Sequence, residues 1–362
     1  MRFGFITTAA FLAIAIGLTG CDSQQAGNQS GGGAGDGTAG PFTLAWSEYP
    51  SWSVYGVADE AGLINRNEGE LGTLEKKWGV DVVLKQLDYD GCLAAYGNST
   101  CDAVCITNMD ILAPAGARNS VAILPTSTSD GADACIVTGI SSLEELKGKD
   151  SYGLEKSVSQ YMFERALEEL GQDPKDFPFK QMDPGVAAQA MQTNQDNINS
   201  IVVWNPFVIQ TLRARGDDAK VLFDSTKIPE EIVDMVVVGE DVLKKDGGEA
   251  FANCIVEAFY EVNRMLADPA KGDDTLITLG TKFGGLELDD MKLIVEQTKF
   301  YKTPAEGLGL FEKDAFQSTI MPRVIDFCAT HGIIDSKPSV AYGEDAAQLR
   351  FDTSFMKKVT TP

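Results

Sequence analysis

The chain has 362 residues, 44% of them hydrophobic, and a formal net charge of −23, so it is long enough for two domains with their own cores. Its composition excludes a disordered, collagenous or coiled-coil chain, and so acidic a balance argues against nucleic acid and anionic membrane surfaces as partners. The charge alone does not point to a cationic ligand, because acids spread over a surface are ordinarily just solvated.

At the N-terminus Arg2 precedes an apolar run, Phe3 to Leu18, that ends in small residues before Cys21. About 16 apolar residues fall short of the roughly 20 needed to cross a bilayer, so residues 1–20 are read as a signal peptide. Leu18-Thr19-Gly20-Cys21 resembles the lipobox of bacterial lipoproteins. That resemblance implies lipidation at Cys21 and anchoring at the periplasmic or extracellular face of the cytoplasmic membrane. Residues 21–40 are Gly, Ser, Gln, Asn and Ala with almost no apolar bulk, a flexible tether with a reach of roughly 25 Å. The Gly31 to Gly37 stretch is no phosphate loop, since no Lys-Ser/Thr follows.

From Pro41 onward short apolar strands alternate with amphipathic helices. Phe42 to Trp46 reads as a strand, then a helix near Ser53 to Ile64, a strand at Asp81 to Gln86, a helix near Asp90 to Tyr96 and a strand at Ala103 to Thr107. A second set follows: strand Ser151 to Leu154, helix Val158 to Leu170 ending at Gly171, and strands Ile201 to Trp204 and Ala219 to Phe223. Such alternation implies α/β lobes with mostly parallel sheets. Ile232 to Gly239 is an apolar run with Asp234 inside it, and after Gly247 the chain turns mainly helical. The stripe from Phe251 to Leu266 reads as core. Two lobes are expected, the first discontinuous: residues 41–132, then 133–235 as the second lobe, then 236–362 back in the first. Gly131 to Gly139 and Ile232 to Gly239 are the expected crossings.

Besides Cys21 there are six cysteines, Cys92, Cys101, Cys105, Cys135, Cys254 and Cys328. In an oxidising compartment disulfides are allowed, their pairing is not deducible, and buried free thiols fit equally. No metal site is expected, since the spacings match no zinc motif and His331 is the only histidine.

Ligands in open α/β sheets bind beyond the carboxyl ends of strands. The residues there are Trp46-Ser47-Glu48-Tyr49-Pro50-Ser51-Trp52, Thr107-Asn108-Met109-Asp110, Glu155-Lys156-Ser157-Val158-Ser159 and Trp204-Asn205-Pro206. Asp133 and Asp234 fall on the two crossings. The candidate ligand-binding residues are therefore Trp46, Tyr49, Trp52, Asn108, Asp110, Asp133, Glu155, Ser159, Trp204 and Asp234. Taken singly, Asp110 and Ser157 equally suit helix N-caps, Trp46 and Trp204 core aromatics, and Asp234 a structural ion pair.

With these stretches, Ser129-Asp130-Gly131-Ala132-Asp133, Leu143 to Lys149 and Val203-Trp204-Asn205-Pro206, the chain resembles the binding components of ABC importers in the nitrate, sulfonate and taurine superfamily. The resemblance runs from about Phe42 to the C-terminal region and implies a type 2 periplasmic binding protein, bilobal with an inter-lobe cleft. Within that superfamily it is most similar to the subgroup associated with urea carboxylase genes, through Trp46-Ser47-Glu48-Tyr49 with Trp52, Thr107 to Asp110, Glu155 to Ser159 and Phe223 to Asp234. That subgroup carries Tyr-Thr-Gly-Trp-Glu-Pro-Trp where this chain has Tyr49 to Tyr55, so Tyr55 stands in place of a second Trp. The implied role is a monomeric carrier with no cofactor that takes a small-molecule solute, guanidine or urea, to an ABC permease and its ATPase. Nitrate, taurine or an aliphatic sulfonate, or a thiamine pyrimidine precursor are the other cargoes the superfamily allows.

The candidate residues favour a cationic cargo on chemical grounds. An oxyanion wants Arg, Lys or helix N-termini around it. Asp110, Glu155 and Asp234, with Trp46, Trp52 and Trp204 and only Lys156 as a nearby base, offer the reverse. Guanidinium pairs with carboxylates and stacks on indole. The rival of another class is an exported enzyme on the same fold. It finds little support, because no Gly-x-Ser-x-Gly elbow is present and any triad would depend on His331.

Overall fold

In a computed structural model, residues 37–195 and 198–359 are described. The expected signal peptide and the lipidation site Cys21 lie outside them, as does most of the expected tether. Its last four residues do not, and two of them, Ala39 and Gly40, already belong to the first strand, β1 (Ala39–Trp46), where Ala39 pairs with Val80. A composition without apolar bulk still forms strand when its backbone has a neighbouring edge to pair with.

The larger sheet is built on β1 with β2 (Val80–Gln86), β3 (Ala103–Thr107) and β4 (Ser120–Ser129). The smaller holds β5 (Asp133–Thr138), β6 (Ser151–Gly153), β7 (Phe179–Gln181), β8 (Ser200–Trp204) and β9 (Ala219–Asp224) in the order β7-β6-β8-β5-β9. The chain then returns to the larger sheet as β10 (Val233–Gly239), and β11 (Thr298–Phe300), β12 (Val340–Tyr342) and β13 (Leu349–Phe351) complete it in the order β12-β13-β4-β10-β3-β1-β2, with β11 on β4. Ladders within each α/β set are parallel, as crossover helices require, except that the short β11 runs antiparallel to β4. The strands that enter from the other lobe, β5 and β10, run antiparallel to their neighbours.

This sheet order moves both crossings. Asp133–Thr138 and Val233–Gly239 are full ladder strands, each buried along its whole length, so the chain crosses at residues 130–132 and 225–232 instead. A continuous apolar run between two neighbours is a sheet interior, not a hinge. The two crossings are tied together: Ser129 Oγ lies 2.7 Å from Ser225 Oγ, which accepts from the Gly131 amide at 2.8 Å.

Glu231, on the return crossing and 5% exposed, pins helices of both lobes. Tyr161 Oη (2.5 Å) and Arg165 (3.2 Å) reach it from the helix Val158–Glu169, and Arg323 (2.5 Å) from the helix Met321–Thr330. Burial pushes the Glu231 carboxyl up, but the Arg165 and Tyr161 hydrogen bonds and both guanidinium charges outweigh it, and its pKa is lowered. His331 caps the latter helix, stacking on Phe327 and touching Glu164 at 3.2 Å. The six described cysteines are all buried and free, and no helix of the described residues is long and apolar enough to cross a membrane.

Candidate functional site

The two crossing strands explain where the site lies. Because β10 is antiparallel to β3, its first residues stand beside the last of β3, and Asp234 pairs with Thr107. For the same reason Asp133, first in β5, pairs with Trp204, last in β8. Both acids therefore reach the edge where the parallel strands β1, β3, β6 and β8 end. A cavity of about 310 Å³ opens there, lined from the larger sheet's side by Ser47 to Tyr49, Trp52, Thr107, Asp110 and Asp234, and from the smaller sheet's side by Asp133, Leu154 to Val158 and Trp204.

Of the expected site residues, Tyr49, Trp52, Asp110, Asp133, Glu155, Trp204 and Asp234 meet in this cavity. Three do not. Trp46 is 3% exposed, turned into the core against Gly56 of the helix Val54–Glu60. Asn108 is a tie: its Nδ2 donates to the Glu231 carbonyl (3.0 Å) and its Oδ1 accepts from the Val233 amide (3.1 Å), fastening the end of β3 to the return crossing. Ser159 is buried in the first turn of its helix, and Ser157 provides the N-cap by accepting from the Ser159 amide at 3.1 Å. Tyr55, the departure from the resembled subgroup, is also core, donating to the Ile255 carbonyl at 3.2 Å.

The sequence reading missed Tyr89, Asp90 and Leu93, which line the cavity from the helix Tyr89–Gly97 that follows β2. The strand-end rule that found the other clusters would have reached them, since they too follow a strand's carboxyl end.

Three carboxyls meet here with only hydroxyl partners, Asp133 and Asp234 buried and Asp110 half-buried. Asp110 accepts from Tyr89 Oη (2.7 Å) and Thr107 Oγ1 (2.8 Å), and burial raises its pKa despite those bonds. Asp133 accepts from Ser129 Oγ at 2.6 Å, and burial pushes it up to about 6. Asp234 sits 2.5 Å from Ser127 Oγ, which touches Ser51 Oγ at 2.8 Å. Burial drives its pKa well up, and the charges of Asp133 and Asp110 drive it further. Among the described residues none of the cavity's acids forms an ion pair, and Lys156 is the single base lining it.

Aromatic rings complete the walls. Tyr49 and Trp52 lie 4.9 Å apart, Trp52 stacks on Tyr89 at 5.3 Å, and Trp204 faces the cavity from the smaller sheet. Burial and the neighbouring Asp234 and Asp133 hold the Tyr49 phenol well above its ordinary range, so it stays a neutral donor. Buried carboxyls without basic partners are costly unless something positive completes them. Metal is a poor fit, because among the described residues no three or more His, Cys, Asp or Glu are grouped to hold an ion.

Two α/β lobes joined by paired crossings around a cleft define the periplasmic-binding-protein fold, and the solved structures similar to this chain have it. The aliphatic sulphonate-binding protein SsuA of Escherichia coli is 16% identical, with a TM-score of 0.65 over 82% of this chain and 89% of its own. A putative sulfonate-binding SsuA from Methylobacillus flagellatus is 14% identical, TM-score 0.67, over 89% and 95%. The alkanesulfonate-binding SsuA of Xanthomonas axonopodis pv. citri, solved with MOPS bound, is 13% identical, TM-score 0.62, over 83% and 96%. At such identities the likeness establishes the fold. No family model and no curated protein matches the chain.

Proposed function

We propose that this protein is the extracytoplasmic solute-binding lipoprotein of an ABC importer and that its cargo is a small, planar, nitrogen-rich cation of the guanidinium type. One observation carries the reading: half-buried Asp110 and buried Asp133 and Asp234 share one aromatic-walled cleft, with hydroxyl partners and, among the described residues, no ion pair. A sulfonate or nitrate would meet these acids as like charges. A guanidinium pairs with them and stacks on indole, the stack adding about 0.5–2 kcal/mol and each charged hydrogen bond about 1.5–3 kcal/mol. Residues from both lobes contact one ligand, so binding draws the lobes together about the crossings at 130–132 and 225–232 and shifts the population toward a closed form that a permease can read.

Urea is the second reading, favoured by the raised pKa of Asp234. A carboxyl that keeps its proton donates to a neutral carbonyl, which guanidinium lacks.

Thermal shift of the purified chain against guanidinium, urea, taurine, nitrate and a pyrimidine precursor decides among these. A ligand at 100 times its Kd stabilises by about 2.7 kcal/mol. Stabilisation by guanidinium, absent from Asp234→Asn, supports the proposal. A shift with taurine or nitrate alone overturns the cation assignment.

A further inference from the structure

The three acids of the cleft are wired to different parts of the fold. Asp110 binds Tyr89 and Thr107, while Asp234 binds Ser127, which reaches Ser51 and through it Thr126 at 2.9 Å. All of these partners come from β3, β4 and the segments after β1 and β2. Asp133 differs. Its Oδ2 accepts from Ser129 Oγ at 2.6 Å, Ser129 Oγ lies 2.7 Å from Ser225 Oγ, and Ser225 Oγ accepts from the Gly131 amide at 2.8 Å. Ser129 is the last residue of β4, Gly131 lies in the outward crossing and Ser225 opens the return crossing. One acid of the site is therefore joined to both segments about which the lobes turn. The two serines are buried and stand outside the cavity lining, so they serve the cargo only through Asp133.

The protons of this chain have a single order when Asp133 is charged. A carboxylate only accepts, and a hydroxyl has one proton to give. Ser129 then gives its proton to Asp133, at the length of a charge-assisted bond. Ser225 gives its own to Ser129 and receives the Gly131 N–H. Every group is satisfied, and all three bonds point from the outward crossing toward the cargo. Bonds aligned in this way polarise and strengthen one another. A protonated Asp133 can donate as well as accept, and the order is then no longer fixed. Burial pushes this carboxyl up to about 6, so its charge is one that a bound cation reinforces. A second tie on the outward crossing lacks this connection. Gln297 accepts from the Asp130 amide through its carbonyl and from Asn205 Nδ2 through its side chain, both at 2.8 Å, and that link reaches none of the three acids.

Resting on the cation reading above, we infer that Ser129 and Ser225 are positioning residues that carry the charge state of Asp133 to the two crossings. The cargo's positive charge holds Asp133 ionised, and the ionised carboxylate orders the hydroxyls. The ordered chain then fastens the return crossing to the outward one in the bound form. A ligand shifts a conformational equilibrium only by interacting differently with its two states. Here the charge itself supplies part of that difference, which a neutral molecule of the same shape does not.

Titration calorimetry with guanidinium on the purified chain tests this in a double-mutant cycle of Ser225→Ala and Asp133→Asn. Ser225→Ala is expected to weaken binding at least about fivefold in the wild-type background and less than about twofold in the Asp133→Asn background. A merely structural tie between the crossings would cost the same factor in both backgrounds. That result overturns the inference, as does unchanged affinity in Ser225→Ala, and either leaves the cation reading standing. Failure of guanidinium to bind the wild-type protein overturns both. Circular dichroism separates lost affinity from lost fold. Ser225→Cys, close to serine in size and a weaker donor, carries the same cycle if the alanine variant does not fold.

Discussion

Replacing Asp133 with Asn isolates the energetic signature of a site built for a missing positive charge. Burial lifts this carboxyl from the 3.8 of a free aspartate to about 6, with Ser129 its one strong partner. Each unit of pH is worth about 1.4 kcal/mol, so ionising Asp133 in the empty protein costs about 3 kcal/mol relative to the unfolded chain. The folded state holds the proton longer than the unfolded state does. The penalty is therefore absent below about pH 4, grows as pH rises through the window between 3.8 and about 6, and is complete above it. Asn keeps the shape and removes the charge, at the loss of the charged hydrogen bond from Ser129. Asp133→Asn is expected to stabilise the empty protein at pH 7.5 by about 1–3 kcal/mol, a Tm rise of about 1–5 °C at this size, and to gain about 2 kcal/mol less than that at pH 4.5. The same variant should bind guanidinium at least tenfold more weakly, the trade-off expected where a site holds strain for its ligand. Differential scanning calorimetry at the two pH values and titration calorimetry at pH 7.5 are the assays. Equal destabilisation at both pH values, or undiminished affinity, would refute a strained cation site at Asp133.

The two tryptophans at the ends of strands are expected to behave oppositely. Trp204→Ala should lower cation affinity by about 0.5–2 kcal/mol, read by titration calorimetry, while Trp46→Ala should leave affinity alone and cost about 3–5 kcal/mol of stability in urea unfolding. Glu231→Gln strips the shared partner of Arg165, Arg323 and Tyr161. With Arg323 partly solvated, it should cost about 2–4 kcal/mol at pH 7. Because the Glu231 pKa is lowered, that contribution is present above the unfolded carboxyl's pKa and disappears as pH falls through the folded one, so wild type and variant should converge in acid. Cys92, Cys101, Cys105, Cys135, Cys254 and Cys328 should resist a thiol reagent in the native protein and all react once it is unfolded. Rapid native labelling would show that the core opens.

Sequence periodicity alone determined the α/β class and most of the site-bearing elements. Apolar runs flanked by helical stripes located β2, β3, β6, β8 and β9 to within about two residues and β1 to within about three, because alternation and strand length are local properties; the run that forms β10 was read as a crossing. The rule that ligands gather past strand ends then brought Tyr49, Trp52, Asp110, Glu155 and Trp204 to one cavity, because it needs only the order of elements and not their packing. It failed where the answer depended on which way a side chain turned. Trp46, Asn108 and Ser159 sit among cavity residues along the chain, yet one packs in the core, one ties backbone and one lies inside a helix turn. Only the tertiary structure decided that β5 and β10 cross lobes antiparallel, and this sets Asp133 and Asp234 at the cleft edge. It alone showed that, among the described residues, the cavity's acids form no ion pair. Pairing is a relation between residues such as Ser127 and Asp234, 107 positions apart, and no local pattern records it.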